Sequence, residues 1–336
     1  MAAYGENEGT RNGKPDEQEK MVNQAKSVKE RHASLLKGYP NVVGVGVGHE
    51  VVGGKRTDRV CIRVYVRRKL PKSQLAPEAV LPDNIDGLAV DVIEDEFWIH
   101  QAPPVTLADH RRPHNLLVGG ISIGHLLVTA GTLGVLVFDN RTGQEMLLSN
   151  WHVFCNSDTC QAGEPIIQPG AFDGGTTNDV VARLIRSQLS PEVDAAIAQP
   201  VGQRPCIREV LELGVIAFSS RAVLGMTVRK SGRTTGFTEG IVADVSADVD
   251  IGGYPSGKAS FRDQIVIEGV RASLGGDSGS VWVDNANQVV GLNFAGSTQN
   301  PNLGIANHIE AVMTALDINL GAGITVLDWQ TRTATL

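Results

Sequence analysis

The chain has 336 residues, of which 42% are hydrophobic and 20% charged, and its formal net charge at pH 7 is −7. This composition is typical of a globular protein and excludes a mainly disordered chain. The acidic balance argues against a general nucleic-acid binder, which carries a basic excess. We interpret the basic stretch RRKLPK at 67–72 as a solvated strand end rather than a phosphate site.

The N-terminal sequence and the cysteine spacing bear on where the protein is located and on whether it binds metal. Residues 1–20 contain no charged-then-apolar leader, and no apolar run reaches the length of a membrane span. We therefore expect a cytoplasmic protein without membrane contact. Four cysteines are too few for a disulfide scaffold and do not form CxxC zinc motifs. We expect Cys155 and Cys160 to be reduced, and we predict no metal and no cofactor.

The N-terminal part is predicted to begin with a tail and a helix. Residues 1–15 are rich in Gly, Asn and Glu, which indicates a disordered tail. Asp16 is placed as an N-cap, with Glu19 three residues later, ahead of an apolar helical stripe. Gly38 follows the stripe as the C′ residue of the helix.

Strand patterns follow this helix, so a small α+β domain is predicted at 16–99. The glycines of GVGVG at 44–48 alternate with valines inside a strand pattern, and no helix follows them. We interpret them as a strand that another backbone approaches closely, rather than as a phosphate-binding loop. The predicted elements are strands at 41–52, 59–68 and 87–95, with a tight turn at 53–54 and a short helical segment at 73–81.

A linker is predicted at 100–115, where the sequence reads HQAPPVTLADHRRPHN. It contains His100, His110 and His114, which no fixed spacing unites with acidic residues into a metal site. We expect them to be surface histidines in a connecting segment.

From residue 116 onward the sequence has an all-β texture. Short apolar runs recur roughly every 10–15 residues between Gly, Asn, Asp and Pro turns, which favours a barrel or a sandwich. A helix is predicted at 307–318, with Asn307 as its N-cap. The predicted domain is 116–336, and its strand-like runs lie at 131–139, 145–154, 179–185, 193–198, 225–232, 239–249, 263–269, 279–284 and 288–296.

Three polar residues stand at positions where they could act together as a nucleophile, a base and a carboxylate. Ser278 lies in the Gly/Ser turn LGGDSGS, His152 ends the apolar run MLLSNWHV, and Asp194 begins the small-residue run DAAIA. A serine nucleophile needs a neighbouring base and a carboxylate that orients it. The order His, Asp, Ser is one of those known for this constellation.

These motifs resemble those of chymotrypsin-fold (trypsin-like) serine peptidases over roughly residues 116–320. The whole chain also resembles the intracellular branch of that family that includes the plant narrow-leaf type proteases. The resemblance implies a mainly β fold, a chymotrypsin-like double β-barrel, here with a small N-terminal α+β domain and a C-terminal helix. It implies a serine endopeptidase that acts on protein or peptide substrates, with His152 as the base, Asp194 as its orienter and Ser278 as the nucleophile.

The same resemblance assigns further residues to the site. The backbone N–H groups of Gly276 and Ser278 would form the oxyanion hole. Asp277 matches the family's acidic residue beside the nucleophile, and its partner is left open.

The resemblance also assigns the substrate pocket. Ala272 stands where relatives that cleave after Lys or Arg carry an acid, and NFAG at 293–296 matches the strand that lines this pocket. Ala272, Phe294, Ala295 and Gly296 would therefore form an uncharged pocket. We expect a non-tryptic preference for an apolar or small residue before the scissile bond.

The segment SGRTTGFTEG at 231–240 is similar to a hairpin of secreted bacterial members of this fold. Where those members carry a disulfide, this chain has Arg229 and Glu239. An ion pair is therefore expected to join the two strands instead.

Two other functions compete with this one. An α/β-hydrolase would use Ser278, Asp284 and His308 in that order, but the turn is not G-x-S-x-G and no βαβ alternation surrounds it. The stronger alternative is a gated or weakly active protease-fold scaffold that acts as a regulatory oligomer. The N-terminal domain would then mediate homo-oligomer formation, block the cleft or bind a partner.

Overall fold

The computed structural model describes residues 17–53, 55–99 and 108–321. The predicted tail at 1–15, Asp16 and His100 lie outside these residues. Short 3₁₀ turns at Lys72–Gln74 and Pro77–Ala79 take the place of the helical segment predicted at 73–81. The α-helices of the described residues are α1 (Glu17–Lys37), α2 (Ala108–Arg111), α3 (Trp151–Phe154) and α4 (Ile309–Leu316). None of them combines the length and the apolar character that a membrane span needs.

Most of the remaining regular structure is strand. In chain order the strands are β1 (Val42–Val52), β2 (Lys55–Val66), β3 (Asn84–Ile85), β4 (Leu88–Glu94), β5 (Phe97–Trp98), β6 (Leu117–Gly119), β7 (Ser122–His125), β8 (Gly131–Thr132), β9 (Val135–Asp139), β10 (Glu145–Ser149), β11 (Pro165–Ile167), β12 (Val180–Leu189), β13 (Asp194–Pro200), β14 (Cys206–Val210), β15 (Gly214–Val215), β16 (Thr227–Gly232), β17 (Gly236–Tyr254), β18 (Gly257–Glu268), β19 (Val281–Val283), β20 (Val289–Ser297), β21 (Leu303–His308) and β22 (Ile318–Asn319).

Two large sheets organise these strands. The first has the order β22-β9-β10-β13-β12-β11-β7-β8. In the second, β16, β19, β20, β21, β18 and β17 follow one another, and a further pairing of β16 with β17 closes this ring. The predicted fold class, a mainly β chymotrypsin-like double barrel with helices near its ends, is confirmed. Alternating apolar residues of these strands fill the core, in which Trp282 is the largest fully buried side chain.

The N-terminal strands continue the second sheet. β1 pairs antiparallel with β17, and β2, β4 and β3 follow beyond it. α1 packs its buried Ala25, Val28 and Leu36 against the valines of β1. The domain limits of 16–99, 100–115 and 116–336 stay predictions, as does the role of the N-terminal residues in oligomer formation.

The glycines of β1 are explained by close approach of β17. A Cβ atom on Gly48 would lie 2.5 Å from the carbonyl oxygen of Ala243, and one on Gly46 would overlap the carboxylate of Asp244. The interpretation of GVGVG as a strand approached by a neighbouring chain segment agrees with this packing.

Asn307 was predicted as the N-cap of the last helix, and this prediction is wrong. α4 begins at Ile309, and Asn307 belongs to β21, where its side chain is buried. Its Oδ1 accepts the backbone N–H of Asp194 at 3.0 Å, and its Nδ2 donates to Gln264 Oε1 at 2.6 Å. These buried partners hold the amide inside the sheet and away from the helix end.

The predicted ion pair between Arg229 and Glu239 is wrong. The two residues do lie opposite each other in the pairing of β16 with β17. Within the described residues, however, the Arg229 guanidinium forms no ion pair with Glu239 and donates to Asp284 O at 2.8 Å and Asn287 Oδ1 at 2.9 Å. The guanidinium therefore binds acceptors on the turn that follows β19 rather than the carboxylate across the strands.

Two smaller predictions also differ from the structure. Cys155 and Cys160, expected to be reduced, are joined by a disulfide, because the turn between them brings their Cα atoms to 5.5 Å.

His110, expected on the surface, is buried, with Nδ1 at 2.8 Å from Gly120 O and Nε2 at 3.3 Å from Glu212. His114 is half-buried.

Candidate active site

His152 and Asp194 meet because their strands are neighbours. β10 pairs with β13, and α3, which carries His152, follows β10 directly. His152 Nδ1 lies 2.6 Å from Asp194 Oδ2, and the backbone N–H of His152 donates to Asp194 Oδ1 at 3.3 Å. A carboxylate acceptor requires the proton on Nδ1, which leaves Nε2 free to accept another. His152 was predicted at a strand end and lies instead in the one-turn helix that follows the strand.

The Asp194 carboxylate is fully buried and has a second side-chain donor. The hydroxyl of Tyr254, at the end of β17, donates to Asp194 Oδ2 at 2.5 Å. Burial, and then the charge of Asp194, raise the pKa of Tyr254 well above its usual value, so this hydroxyl keeps its proton. Tyr254 also places its ring edge-on to His152, with 6.0 Å between the ring centroids.

Ser278 lies in the turn before β19 and shares a cleft with His152. The cleft is also lined by Ile99, Trp151 and Gly253. Ser278 Oγ donates to the carbonyl oxygen of Phe294 at 3.2 Å. In the described part of the chain, no hydrogen bond joins Ser278 Oγ to His152. The structure thus brings His152 and Ser278 to one cleft, with Asp194 buried against His152 and the Ser278 hydroxyl turned toward β20.

The two peptide units whose N–H groups were predicted as oxyanion donors are held by their carbonyl oxygens. Thr234 Oγ1 donates to Gly275 O at 2.6 Å, and Ser280 Oγ donates to Asp277 O at 2.6 Å. In a trans peptide the N–H points opposite to the C=O. The N–H groups of Gly276 and Ser278 therefore point away from these hydroxyls, and across the described residues neither has a protein acceptor.

Gly276 has a backbone conformation that a side chain would strain. Its φ is +96°, in the left-handed region. A Cβ atom there would also lie 2.6 Å from Thr234 Oγ1 and 2.9 Å from an Arg233 nitrogen. The turn therefore requires glycine beside the predicted nucleophile.

Lys230 is the partner of Asp277 that the sequence left open. Its Nζ lies 3.2 Å from Asp277 Oδ2, and both side chains are 0% exposed. The carboxylate also accepts the backbone N–H groups of Leu274, Thr234 and Thr235 and the Thr235 hydroxyl. Burial alone would raise the pKa of Asp277, but Lys230 and these N–H groups outweigh it and lower the pKa. The turn that carries Ser278 is thus held by an ionised carboxylate.

The predicted pocket residues Ala272, Phe294, Ala295 and Gly296 are all buried. The Phe294 ring packs on Phe261, with 4.8 Å between centroids, so Phe294 faces Ser278 with its carbonyl group. None of the four lines the cleft that contains His152 and Ser278. Their role in substrate binding stays a prediction.

The residues of the α/β-hydrolase alternative are engaged elsewhere. Asp284 Oδ1 accepts the N–H groups of Ala286 and Gln288 within its own turn. His308 Nε2 lies 3.2 Å from Val245 O. Across residues 17–53, 55–99 and 108–321, no three His, Cys, Asp or Glu side chains come together as a metal site would require.

Sequence reasoning missed three polar residues of this site. Lys230 had a signal, because it is a charged residue within a strand-like run, directly before the SGRTTGFTEG hairpin. Thr234 lies within that hairpin, where nothing distinguishes it from its neighbour Thr235. Tyr254 had no signal, since it lies 60 residues from Asp194 and reaches it only through the long β17–β18 hairpin.

Part of the chain matches a known protein family. Residues 131–292 match the family described as the trypsin-like peptidase domain. The protein NARROW LEAF 1 of Oryza sativa subsp. japonica is 26% identical over 295 residues, which are 75% of this chain and 49% of that protein. The chain therefore spans about half the length of this relative.

Among solved structures, the chain is similar to Thermobifida fusca protease A and to a Cellulomonas bogoriensis chymotrypsin. The first is 17% identical, with a TM-score of 0.48, and the match covers 62% of this chain and all of that one. The second is 18% identical, with a TM-score of 0.46, and the match covers 61% of this chain and 98% of that one.

Proposed function

We propose that this chain, which carries a trypsin-like peptidase domain, is a serine endopeptidase that works through an acyl-enzyme. The observation that carries the proposal is the 2.6 Å contact of His152 Nδ1 with the buried Asp194, in the cleft that also contains Ser278. Such a contact leaves Nε2 as a base for a serine hydroxyl.

In the proposed reaction the Ser278 side chain first turns from Phe294 O toward His152. Its Oγ attacks the substrate carbonyl carbon while His152 Nε2 takes the proton. The negative oxygen that forms accepts the free N–H groups of Gly276 and Ser278. His152 then gives its proton to the leaving amine, and the C–N bond breaks. In the second half of the reaction, the oxygen of a water molecule attacks the Ser278 ester while His152 Nε2 takes the proton of that water. His152 then gives the proton to Ser278 Oγ as the ester bond breaks and the product acid leaves.

The test is labelling by a fluorophosphonate probe, followed by hydrolysis of a protein substrate. We expect wild type to be labelled, and Ser278→Ala and His152→Ala to lose both labelling and hydrolysis. The gated-scaffold alternative is favoured by one observation, namely that Ser278 Oγ donates to Phe294 O rather than to His152. Labelling that depends on Ser278 but comes without turnover would support that alternative, and no Ser278-dependent labelling would remove the enzymatic proposal.

The substrate class proposed is protein or peptide, with an apolar or small residue before the scissile bond. Ala272 supports this, because it is buried and uncharged at the position where tryptic relatives carry an acid. A peptide library randomised at that residue tests the preference, and dominant cleavage after Arg or Lys would contradict it.

Tyr254→Phe is expected to lower kcat about tenfold, because the variant loses a donor that holds the Asp194 carboxylate in place against His152. A hydrogen bond to a charged group contributes roughly 1.5–3 kcal/mol. Steady-state kinetics on one peptide substrate measures the change in kcat. The control is Tyr65→Phe, which removes a buried hydroxyl near Asp244. A kcat of Tyr254→Phe equal to that of the control would show that Tyr254 has only a packing role.

Thr234→Val is expected to lower kcat by about one to two orders of magnitude with little change in KM. The variant loses the hydroxyl that holds Gly275 O, so the Gly276 N–H is free to turn from the oxyanion; one such donor contributes roughly 2.7–4 kcal/mol. Thr234→Ser retains the hydroxyl and should restore most of kcat. Steady-state kinetics checks this, and an unchanged kcat in Thr234→Val would contradict it.

A further inference from the structure

β20 has two edges, and only a short part of one is free beside Ser278. Its outer edge pairs with β21 as far as Gly296. The inner edge pairs with β19 up to Leu292, and Phe294 O then accepts Ser278 Oγ. β5 occupies the same inner edge from Gly296 onward. The residues of this edge that pair with neither β19 nor β5, between the nucleophile turn and β5, are therefore Phe294 and Ala295.

β5 runs along this edge in the direction that leads to Ser278. It is antiparallel to β20, with Trp98 opposite Gly296, and the carbonyl of Glu96 accepts the N–H of Thr298 at 3.2 Å. Because hydrogen-bonded and non-bonded pairs alternate along antiparallel strands, Trp98 and Gly296 form a hydrogen-bonded pair. The backbone groups of Gly296 are thus already used. Ile99, the next residue, lines the cleft with His152 and Ser278.

β5 is held by neighbouring strands on both of its edges and by the packing of its side chains. It pairs with β17 as well as β20, and the N–H of Ile99 donates to Gly252 O at 3.0 Å. Phe97 is 0% exposed and packs edge-on against Tyr65, with 5.2 Å between centroids. Gly252 leaves room for the Trp98 indole, since a Cβ there would lie 2.6 Å from the ring. A strand fixed in this way is part of the wall of the cleft.

An extended peptide can bind a protein by adding a strand to a free sheet edge, and its backbone hydrogen bonds then supply affinity. Here that edge ends at Ala295. We propose that β5, through Trp98 and Ile99, closes the part of the cleft that would bind the substrate on the N-terminal side of the scissile bond. Only the two substrate residues before the scissile bond then pair with β20. Residues farther toward the substrate N-terminus leave the sheet and contribute no backbone pairing. This proposal rests on the proposed peptidase function.

The test uses peptide boronic acids that share one apolar C-terminal residue and have one, two, three or four residues in total. Their affinity is measured by competition with fluorophosphonate labelling of Ser278 in the full chain. We expect affinity to rise from one to two residues and then to stay within about twofold. A gain of tenfold or more from two to four residues would overturn the closed edge. Absence of Ser278-dependent labelling would instead remove the peptidase function, and this inference with it.

A matched pair of variants identifies β5 as the cause. Trp98→Pro removes the N–H that pairs with Gly296 and cannot stay between two strands. It should therefore open the edge, so that the four-residue inhibitor binds at least tenfold more tightly than the two-residue one. Trp98→Ala retains the backbone pairing. The affinities of its two-, three- and four-residue inhibitors should therefore stay within about twofold of one another, as in wild type. A rising series in Trp98→Ala would assign the limit to the indole alone, against a role of the β5 backbone. If the proline variant does not fold, the inhibitor affinities of the wild-type protein still test whether the edge of β20 is closed.

Discussion

Asp194→Asn is expected to lower kcat about 10⁴-fold, the scale of effect for this substitution in a His-Asp-Ser constellation. Asp194 Oδ1 accepts the backbone N–H of His152, a donor that cannot turn away. We therefore expect the amide oxygen of asparagine to face that N–H, and its NH₂ group to face His152 Nδ1. The imidazole must then carry its proton on Nε2, where it cannot accept the proton of Ser278.

The measurement is kcat on one peptide substrate, with folding checked by thermal unfolding. The matched control is Asp139→Asn, which changes another buried aspartate, paired with Arg186 at 2.8 Å away from the cleft. The control should change stability and leave kcat of the folded enzyme near wild type. A kcat of Asp194→Asn within tenfold of wild type would argue against His152 as the base.

Lys230→Met is expected to lower the free energy of unfolding by about 3–5 kcal/mol, because removing one partner leaves a buried charge without compensation. The Asp277 carboxylate would keep its N–H donors but lose its counter-ion. The turn that carries Gly276 and Ser278 depends on this carboxylate, so labelling of Ser278 should also fall. Denaturant unfolding at pH 7 measures the stability change.

The pH dependence of this variant has a defined sign. In wild type the pKa of Asp277 is lowered, so its stabilising contribution is present above the unfolded pKa, near about 3.9, and is lost as pH falls through the folded pKa. In Lys230→Met we expect burial to raise this pKa, so the carboxyl becomes neutral on mild acidification. The stability gap between the two proteins should therefore be largest near pH 7 and narrow toward pH 4.

The control for the lysine is Lys258→Met. Lys258 Nζ lies 3.6 Å from Glu96, and its side chain is 44% exposed, so the substitution should cost less than about 1 kcal/mol. Equal losses in both lysine variants, or a gap that widens in acid, would contradict the assigned role of the Lys230–Asp277 pair.

An all-β domain and three candidate site residues could be predicted from local sequence, while the type of barrel came from the resemblance of their motifs to chymotrypsin-fold peptidases. Strand spacing after residue 116 indicated the all-β domain, His152 and Asp194 lie near the ends of short apolar runs, and Ser278 lies in the Gly/Ser turn before one. Their positions depend on strand ends, which periodicity and turn residues reveal. The pairing of β10 with β13, which the sequence did not predict, then brings the first two together.

Contacts between distant polar side chains could not be predicted in the same way. Asn307 read as a helix cap, yet it binds Asp194 and Gln264 inside the sheet. Arg229 and Glu239 lie opposite each other, yet the guanidinium takes acceptors on another turn. A polar side chain chooses among all partners that the fold brings within reach, and only neighbours along the chain are visible in the sequence.

Composition, periodicity and short motifs were enough to predict the type of chain, the strand-rich architecture and the candidate residues for acyl transfer. Only the folded chain shows the contacts that hold and limit this candidate site. Lys230 neutralises Asp277, Tyr254 reaches Asp194, Thr234 orients the Gly276 peptide, and β5 ends the free edge of β20. Each of these is a contact across long separations in the chain, set by strand order and register, which no local pattern encodes.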